Sequence, residues 1–341
     1  MIWDPSSIFW ACIGGALIAL ATTLNLALKG RLTGYSSTFY TIITLNFNEG
    51  LIWKTSFLTG VLSTAFYIYN NYSYNWISFD RNPHQNLIWA IIGGFIVGLG
   101  TKMSNGCTSG HAVCGIPRFS KRSILATILF MGTGFSISTL FNQLGLGNLL
   151  YFEFPVLESF YPYITNIIMI GIIMIFLYHS LSSFFRNSEW SERLDPILSA
   201  GIGVIFGIGL SISGMCNRNK IIAFLNMDPD LWDPSLAFVM ASALVINIFT
   251  FQTILKTWRK PIYSPKFNIP SRTDIDIGLV LGAGIFGLGW GLFGYCPGPA
   301  MINALISYQS AFFVFFMALG MYSSQTILNL ITGGESRPLL P

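Results

Sequence analysis

Three stretches of the chain share one pattern: Val97-Gly-Leu-Gly-Thr-Lys-Met-Ser-Asn-Gly-Cys107, Phe206-Gly-Ile-Gly-Leu-Ser-Ile-Ser-Gly-Met-Cys216 and Phe286-Gly-Leu-Gly-Trp-Gly-Leu-Phe-Gly-Tyr-Cys296. Each places a pair of glycines on an apolar helix and a cysteine seven residues after the second glycine, where the helix is expected to break. Internal repeats are sought first because they define the architecture of a chain. Three cysteines at equivalent positions predict one central site lined with thiols.

The composition is that of an integral membrane protein. Only 9% of the 341 residues are charged and 52% are hydrophobic, whereas a soluble domain has about a quarter of its residues charged. Without a solvated basic patch, nucleic acid is not an expected partner. The N-terminus lacks a basic region, so we expect the first apolar stretch to be retained. The five cysteines show no secreted spacing pattern and are expected to be free thiols.

Apolar runs of about 20 residues span a bilayer, and the chain is predicted to contain nine such helices together with four shorter segments. The nine predicted membrane helices are 8–28, 52–69, 87–103, 123–143, 161–184, 196–213, 233–255, 275–293 and 309–331. The four short segments are 34–47, 107–119, 215–226 and 296–306. Each short segment follows a long helix and precedes another, which is typical of re-entrant helices lining a covered cavity.

The repeating unit is therefore long helix, short helix, long helix, and it occurs four times. The first unit is degenerate, because Leu28 stands where the other three have cysteine. The helix at 161–184 has no short partner, so the third and fourth units start on the opposite membrane face. The predicted fold is an all-α membrane protein with an inverted repeat. Its parts are a first half at 1–160, a connecting helix and inner loop at 161–194, and a second half at 195–341.

The distribution of charge predicts the orientation independently. With the N-terminus outside and the C-terminus in the cytoplasm, the outer face keeps only Arg81, Arg218 and Lys220 of the 18 Lys and Arg residues. The acidic residues of the outer loops are Asp80, Glu153, Glu158, Asp228, Asp230 and Asp233. This distribution follows the positive-inside rule, so we expect a multi-pass cell-membrane protein with its N-terminus outside.

Two cysteine motifs carry a resemblance to a known family. The stretch Asn105-Gly-Cys-Thr-Ser-Gly-His111, followed by Cys114-Gly-Ile and Arg118-x-Ser-x-Arg-Ser, closely resembles the YeeE/YedE sulfur-transport family, as does Gly-Tyr-Cys296-Pro-Gly-Pro-Ala. The resemblance covers nearly the whole chain. It implies thiosulfate uptake through an hourglass of long helices, in which short helices meet at the waist and axial cysteines contact the ion. Cys107 and Cys296 match the motif positions. The stretch Ser213-Gly-Met-Cys-Asn-Arg-Asn-Lys220 resembles a further family motif, Ser-Gly-Met-x-Asn-Pro-x-Lys, from which it departs at Cys216 and Arg218.

The chemistry of these residues suits such an ion. Thiosulfate is a dianion with one soft terminal sulfur and three hard oxygens, and a neutral thiol donates S–H to the sulfur without adding negative charge. Helix N-termini offer N–H groups to the oxygens; Thr108 or Ser109 is expected to cap the second short helix. Pro297 and Pro299 suit the first turn of the fourth. The predicted substrate-binding residues are Cys107, Cys296, Cys216, Thr108, Ser109, Asn105, Asn217, Lys220 and Lys102, with Asn303 as a further amide donor.

Several assignments stay open at this point. Lys102, Arg118 and Arg122 are either interfacial anchors or cations that attract substrate, and the same choice holds for Arg218 and Lys220. Cys12 and Cys114 fit small buried apolar residues. His111 fits a residue that orients the short helix better than a metal ligand, because this stretch alone supplies too few ligands.

The preferred function is a transporter rather than an enzyme, with no cofactor and no metal. The alternatives are a membrane sulfurtransferase or thiol oxidoreductase using Cys107, and a transporter of another sulfur or selenium species. Besides thiosulfate and the lipid bilayer, a soluble sulfurtransferase is an expected partner. The sequence leaves the coupling ion and the oligomeric state open.

Overall fold

The protein is described by a computed structural model that covers residues 4–72, 79, 87–145, 155–185 and 189–333. These residues form thirteen α-helices, one π-helix and two 3-10 turns. The helices are α1 (Pro5–Lys29), α2 (Tyr35–Ile43), α3 (Leu51–Asn71), α4 (Leu87–Met103), the π-helix (Ser109–Gly115), α5 (Lys121–Gln143), α6 (Pro155–Phe185), α7 (Trp190–Arg193), α8 (Asp195–Ile212), α9 (Arg218–Leu225), α10 (Ser235–Thr257), α11 (Ile277–Phe293), α12 (Pro297–Asn303) and α13 (Tyr308–Ile331). The chain is an all-α membrane protein, as predicted.

All nine predicted long helices are present, but the number of membrane spans is not confirmed. Within the described ranges, seven helices are long and apolar enough to cross a bilayer. The bent pair of α11 and α12, with 41° between its members, adds an eighth. The remaining candidate, α4, has 17 residues. At 1.5 Å per residue such a helix is a few ångströms shorter than the bilayer core of about 30 Å.

The four short helices also lie where the sequence predicts them. One detail of the first unit differs, because α1 continues through Leu28 and ends at Lys29. Its end is set by Gly30, which adopts the left-handed conformation (φ 67°) that terminates helices readily. Cys216 lies four residues after the last residue of α8. The equivalent position after the end of α1 is therefore Thr33 rather than Leu28.

Some of the charged residues used to predict the orientation are not among the residues that the structure describes. Asp80, Arg81, Glu153, Arg186 and Arg337 are outside the described residues. Of the described cations that are predicted to face the cytoplasm, Lys29, Arg31 and Lys260 line one cleft at the end of the bundle. There the segment 258–276 folds over the end of α1, with Ile262 N–H donating to the Ala27 carbonyl at 3.0 Å and Asn268 N–H to that of Gly30 at 2.8 Å.

The long helices pack in two matching groups. In one group α1 packs on α8 and α10, and α3 packs on α8. In the other, α4 packs on α11 and α13, and α5 packs on α11. Each short helix packs on the second long helix of its own unit and on a second long helix from the other half of the chain. The extensive interfaces therefore join the two halves, so the halves do not form separate bodies.

The glycine pairs allow this close packing, as expected. A Cβ atom added to Gly98 would lie 2.0 Å from the Met317 carbonyl oxygen, and one added to Gly203 would lie 2.1 Å from that of Phe57. Gly100, Gly207 and Gly209 likewise lie against the backbone of a neighbouring helix. Small residues at helix crossings let two backbones approach closely in a membrane. The pattern that first marks the repeat is thus also the surface that joins α4 to α11 and α13, and α8 to α1 and α3.

Replacing Gly98 with alanine is expected to destabilise the protein by about 2 kcal/mol or more, because the methyl group forces α4 away from α13. The measurement is the melting temperature of the purified protein in detergent. Gly132→Ala is the matched control, since a Cβ there meets nothing within 4 Å. An unchanged melting temperature in Gly98→Ala would show that the crossing tolerates separation.

Helix α6, the odd helix between the halves, lies at the edge of the bundle. Its side chains are mostly exposed, including Ile167 and Ile170 at 70% and 62%. In a membrane protein such an apolar surface faces lipid. The helix therefore links the halves without contributing to the region where the short helices meet.

Candidate functional site

One buried cavity lies where the short helices meet. Three short helices supply residues from their N-terminal ends: Tyr35 of α2, Thr108 and Ser109 at the start of the π-helix, and Pro297 to Pro299 of α12. The turn ahead of α9 supplies Met215. Long helices complete the wall, chiefly with Ile18, Phe206, Leu210, Val239 and Met240. The volume of the cavity, counted as the space open to the centre of a water-sized sphere, is about 40 Å³. None of the described residues that line it carries a charge.

Cys107 and Cys296 both line this cavity, as the repeat predicts. Each cysteine lies just before a short helix, and Cys296 is the N-cap residue of α12. The Cys107 sulfur is 3.3 Å from the Ser109 hydroxyl oxygen, and the Cys296 sulfur is 3.7 Å from that of Thr108. The two thiols therefore face the same small space, with two neighbouring hydroxyl groups on the π-helix between them.

Cys216 borders the cavity without lining it. Its S–H points back towards its own helix and donates to the Leu210 carbonyl at 3.6 Å. Its carbonyl accepts a hydrogen bond from the Asn303 side-chain amide at 2.8 Å. Leu210 and Met215, which both precede Cys216 along the chain, are the residues of this stretch that reach the cavity.

The hydroxyl groups of Thr108 and Ser109 do not cap the π-helix, contrary to the prediction. Thr108 already has helical dihedral angles (φ −51°, ψ −43°), so its side chain is not in the extended N-cap geometry. The Ser109 oxygen instead accepts a hydrogen bond from the Tyr35 backbone N–H at 3.1 Å. This bond joins the starts of the first two short helices across the cavity wall.

Tyr35 is a cavity residue that the sequence analysis missed. It is 1% exposed, and its ring packs against Phe57 and Phe206 with centroids 6.1 and 5.8 Å away. Within the described part of the chain its hydroxyl group has no hydrogen-bond partner. A buried O–H without a partner is costly and marks a group available to a ligand. A signal was present, because Tyr35 begins the short helix of the one unit that lacks cysteine.

Four predicted residues lie away from the central cavity. Asn105 and Lys102 line a smaller neighbouring cavity. Asn217 is the N-cap residue of α9, and its side-chain oxygen accepts from the Asn219 N–H at 2.9 Å. The Lys220 ammonium donates to the Ser7 hydroxyl near the start of α1. The last two therefore have structural partners outside the cavity.

The remaining cations named in the sequence analysis are also held by protein groups. The Arg218 guanidinium donates to the Phe293 carbonyl at 2.8 Å and so caps the end of α11. Arg118 donates to the Cys114 carbonyl at 3.1 Å. Arg122 contacts Asp276 at 3.5 Å, on the segment that follows α10. Beside it, Arg272 donates to Asp274 and thereby lowers the pKa of this carboxyl to about 2. These contacts fix loops and helix ends.

His111 and Cys114 have structural roles in the π-helix. The His111 Nε2 lies 3.1 Å from the Ser104 carbonyl oxygen and Nδ1 lies 3.2 Å from the Ser123 hydroxyl. Because a carbonyl only accepts, Nε2 carries the proton and Nδ1 accepts from Ser123. The Cys114 thiol donates to the Thr33 carbonyl at 3.5 Å. All five cysteines are free, and in the described ranges no group of three His, Cys, Asp or Glu side chains could hold a metal ion.

Comparisons with known proteins identify the family of the chain. A family model described as sulphur transport matches residues 4–136, and one described as a family of unknown function (DUF6691) matches residues 195–336. A probable transporter of Xylella fastidiosa strain Temecula1 is 41% identical over 136 residues, which are 40% of this chain and 91% of that protein. Another, from strain 9a5c, is 34% identical over 139 residues, or 39% of this chain and 95% of that protein. The chain therefore belongs to the YeeE/YedE-like sulphur-transport family and is a multi-pass membrane transporter rather than an enzyme.

Proposed function

We propose that this transporter carries thiosulfate through the central cavity, where Cys107 and Cys296 contact the terminal sulfur of the ion. The observation that carries the proposal is that two repeat-related thiols line one uncharged cavity. The N-terminal ends of three short helices and the turn ahead of the fourth bound this cavity. Because the chain belongs to a sulphur-transport family, we expect its substrate to be a sulfur species. The thiols then select among such species.

The cavity offers different groups to the two ends of thiosulfate. Its thiols are weak donors that match a soft sulfur, and the Tyr35 hydroxyl is a stronger donor that matches an oxygen. The prolines at 297 and 299 lack an N–H, so the first turn of α12 offers the ion only the N–H of Gly298. Because the described lining has no cation, binding stays weak enough for release, which conduction requires.

We also propose that the halves are inverted repeats, with 1–160 and 195–341 related by a two-fold axis in the membrane plane. The matching helix packing supports this, and so does a pair of equivalent hydrogen bonds. Cys114 follows Cys107 by seven residues and donates to the carbonyl of Thr33, whereas Asn303 follows Cys296 by seven residues and donates to that of Cys216. Relatives whose whole length matches about 40% of this chain are further support.

The proposed orientation places the N-terminus outside and the segment 258–276 in the cytoplasm. It is supported by the cations at one end of the bundle, where Lys29, Arg31 and Lys260 line a common cleft. Positively charged ends face the cytoplasm in most membrane proteins. A C-terminal tag that reacts with an impermeant reagent on intact cells would contradict this orientation.

The test of the proposed cargo is uptake of labelled thiosulfate by liposomes that contain only the purified protein. We expect uptake well above that of protein-free liposomes. Unlabelled thiosulfate should compete strongly, whereas sulfate at the same concentration should compete much less, because it has no soft sulfur for the thiols. Absence of uptake, or equal competition by sulfate, would overturn the proposal.

A further inference from the structure

A second, smaller cavity lies directly beside the central one. It is lined by Ser36, Ser37, Thr101, Lys102, Asn105 and Gly106. Two of these residues adjoin the central cavity along the chain, since Gly106 precedes Cys107 and Ser36 follows Tyr35. The space for the centre of a water-sized sphere is about 10 Å³, roughly the room of one water molecule. Unlike the central cavity, this one has a cation and several hydroxyl or amide groups in its wall.

The cation is buried and held against an aromatic ring. Lys102 is only 7% exposed, and its ammonium nitrogen lies 3.4 Å from the centre of the Tyr40 ring. An interfacial anchor extends its charge into water, whereas this side chain remains inside the protein. A lysine inside a membrane domain is a functional candidate by default, because burying its charge is costly. The Tyr40 ring face offsets part of that cost.

Tyr40 also lines an open recess. The recess is formed by Tyr40 together with the turn from Thr44 to Glu49, and its volume is about 450 Å³. Lys54 stands next to it, with its ammonium 2.7 Å from the Thr41 hydroxyl and 4.0 Å from the Glu49 carboxylate. Tyr40 therefore belongs to the wall of the recess and also contacts Lys102, which lines the small polar cavity. The recess opens on the proposed cytoplasmic side.

We propose that Lys102, Ser36, Ser37 and Asn105 form a second oxyanion site between the central cavity and this recess, and that the Tyr40 ring covers it. The inference rests on the proposed transport of thiosulfate. When the ion leaves the thiols, its oxygens bind the Lys102 ammonium. The anion then replaces the Tyr40 ring as the partner of this ammonium. The released ring swings aside and opens the recess. Competition between ring and anion keeps this site from trapping the ion.

The first test compares Lys102→Met with Lys102→Arg in liposomes. Lys102→Met keeps the length of the side chain and removes its charge, so we expect the maximal uptake rate to fall about tenfold or more. Lys102→Arg should recover part of the rate. The matched control is Lys29→Met, which removes another buried cation, paired with Asp195 at 3.3 Å, that lies outside the route; its uptake per folded protein should match the wild type.

Wild-type uptake in folded Lys102→Met protein would overturn the second site. Failure of the wild-type protein to take up thiosulfate would instead overturn the proposed function, so the two failures are distinguishable. The second site is also tested without transport, through calorimetric binding of inorganic sulfate to the purified protein.

Tyr40→Ala should bind sulfate at least about tenfold more tightly than the wild type, because it opens Lys102 to the recess. The double variant Tyr40→Ala/Lys102→Met should lose this gain and bind sulfate no more tightly than the wild type. Unchanged affinity in Tyr40→Ala, or tighter binding that persists in the double variant, would overturn the proposal.

Discussion

Replacing Cys107 or Cys296 with alanine is expected to lower thiosulfate uptake by about tenfold or more. Each substitution removes one S–H donor to the ion, and a hydrogen bond to a charged group contributes about 1.5–3 kcal/mol, which is tenfold or more in affinity. Both thiols line the central cavity, so their effects should not be additive. The measurement is the concentration dependence of uptake into liposomes.

Serine variants separate the softness of sulfur from the mere presence of a donor. Cys107→Ser and Cys296→Ser keep a donor but replace a large polarizable atom with a small hard one. We expect both to remain poor transporters of thiosulfate and to lose the preference for thiosulfate over sulfate. If serine restored wild-type uptake and selectivity, any hydrogen-bond donor would suffice and the proposed role of sulfur would be wrong.

Cys114→Ser is the matched control for these variants. Cys114 is also free and fully buried, but its S–H donates to the Thr33 carbonyl. A serine hydroxyl can make the same bond, so uptake and melting temperature should stay close to the wild type. A loss of uptake here as large as that of Cys107→Ser would show that burial of a thiol, rather than its place in the cavity, decides the outcome.

Apolar runs predicted the long helices, and the polar starts of the segments between them predicted the positions of the short ones. The repeated glycine–cysteine pattern indicated Cys107 and Cys296, which line one cavity in the structure. These features follow from local composition, because glycine pairs mark close crossings and polar residues mark helix breaks. The end of α1 was predicted at residue 28, one residue before the observed end at Lys29, and Gly30 marks the break that follows.

The interior of the site was harder to predict. Asn217 looked like an amide donor to the ion, but the same side chain serves equally well as an N-cap, and the structure uses it so. Lys220 is held by Ser7, more than two hundred residues away in sequence. Tyr35 enters the cavity only because α2 packs beside the π-helix. Such contacts depend on tertiary structure, which spacing along one chain does not encode.

Replacing Tyr35 with phenylalanine is expected to change stability and transport in opposite directions. In the wild type the buried hydroxyl lacks a partner in the described part of the chain, and an unsatisfied buried group costs about 1–3 kcal/mol. Removing it should therefore raise the melting temperature in the absence of thiosulfate. The same change removes the donor proposed for an oxygen of the ion, so the apparent affinity for thiosulfate should fall about tenfold.

Tyr295→Phe provides the matched comparison, because Tyr295 is equally buried but its hydroxyl lies 3.1 Å from the Ser310 hydroxyl. That variant leaves Ser310 without this bond, so the melting temperature should fall while the affinity for thiosulfate changes little. Opposite shifts in the two tyrosine variants cannot arise from a general loss of packing, since both replacements keep the ring. Wild-type affinity in Tyr35→Phe would remove the hydroxyl from the site and leave the oxygens of the ion to Gly298 and the hydroxyl groups of the π-helix.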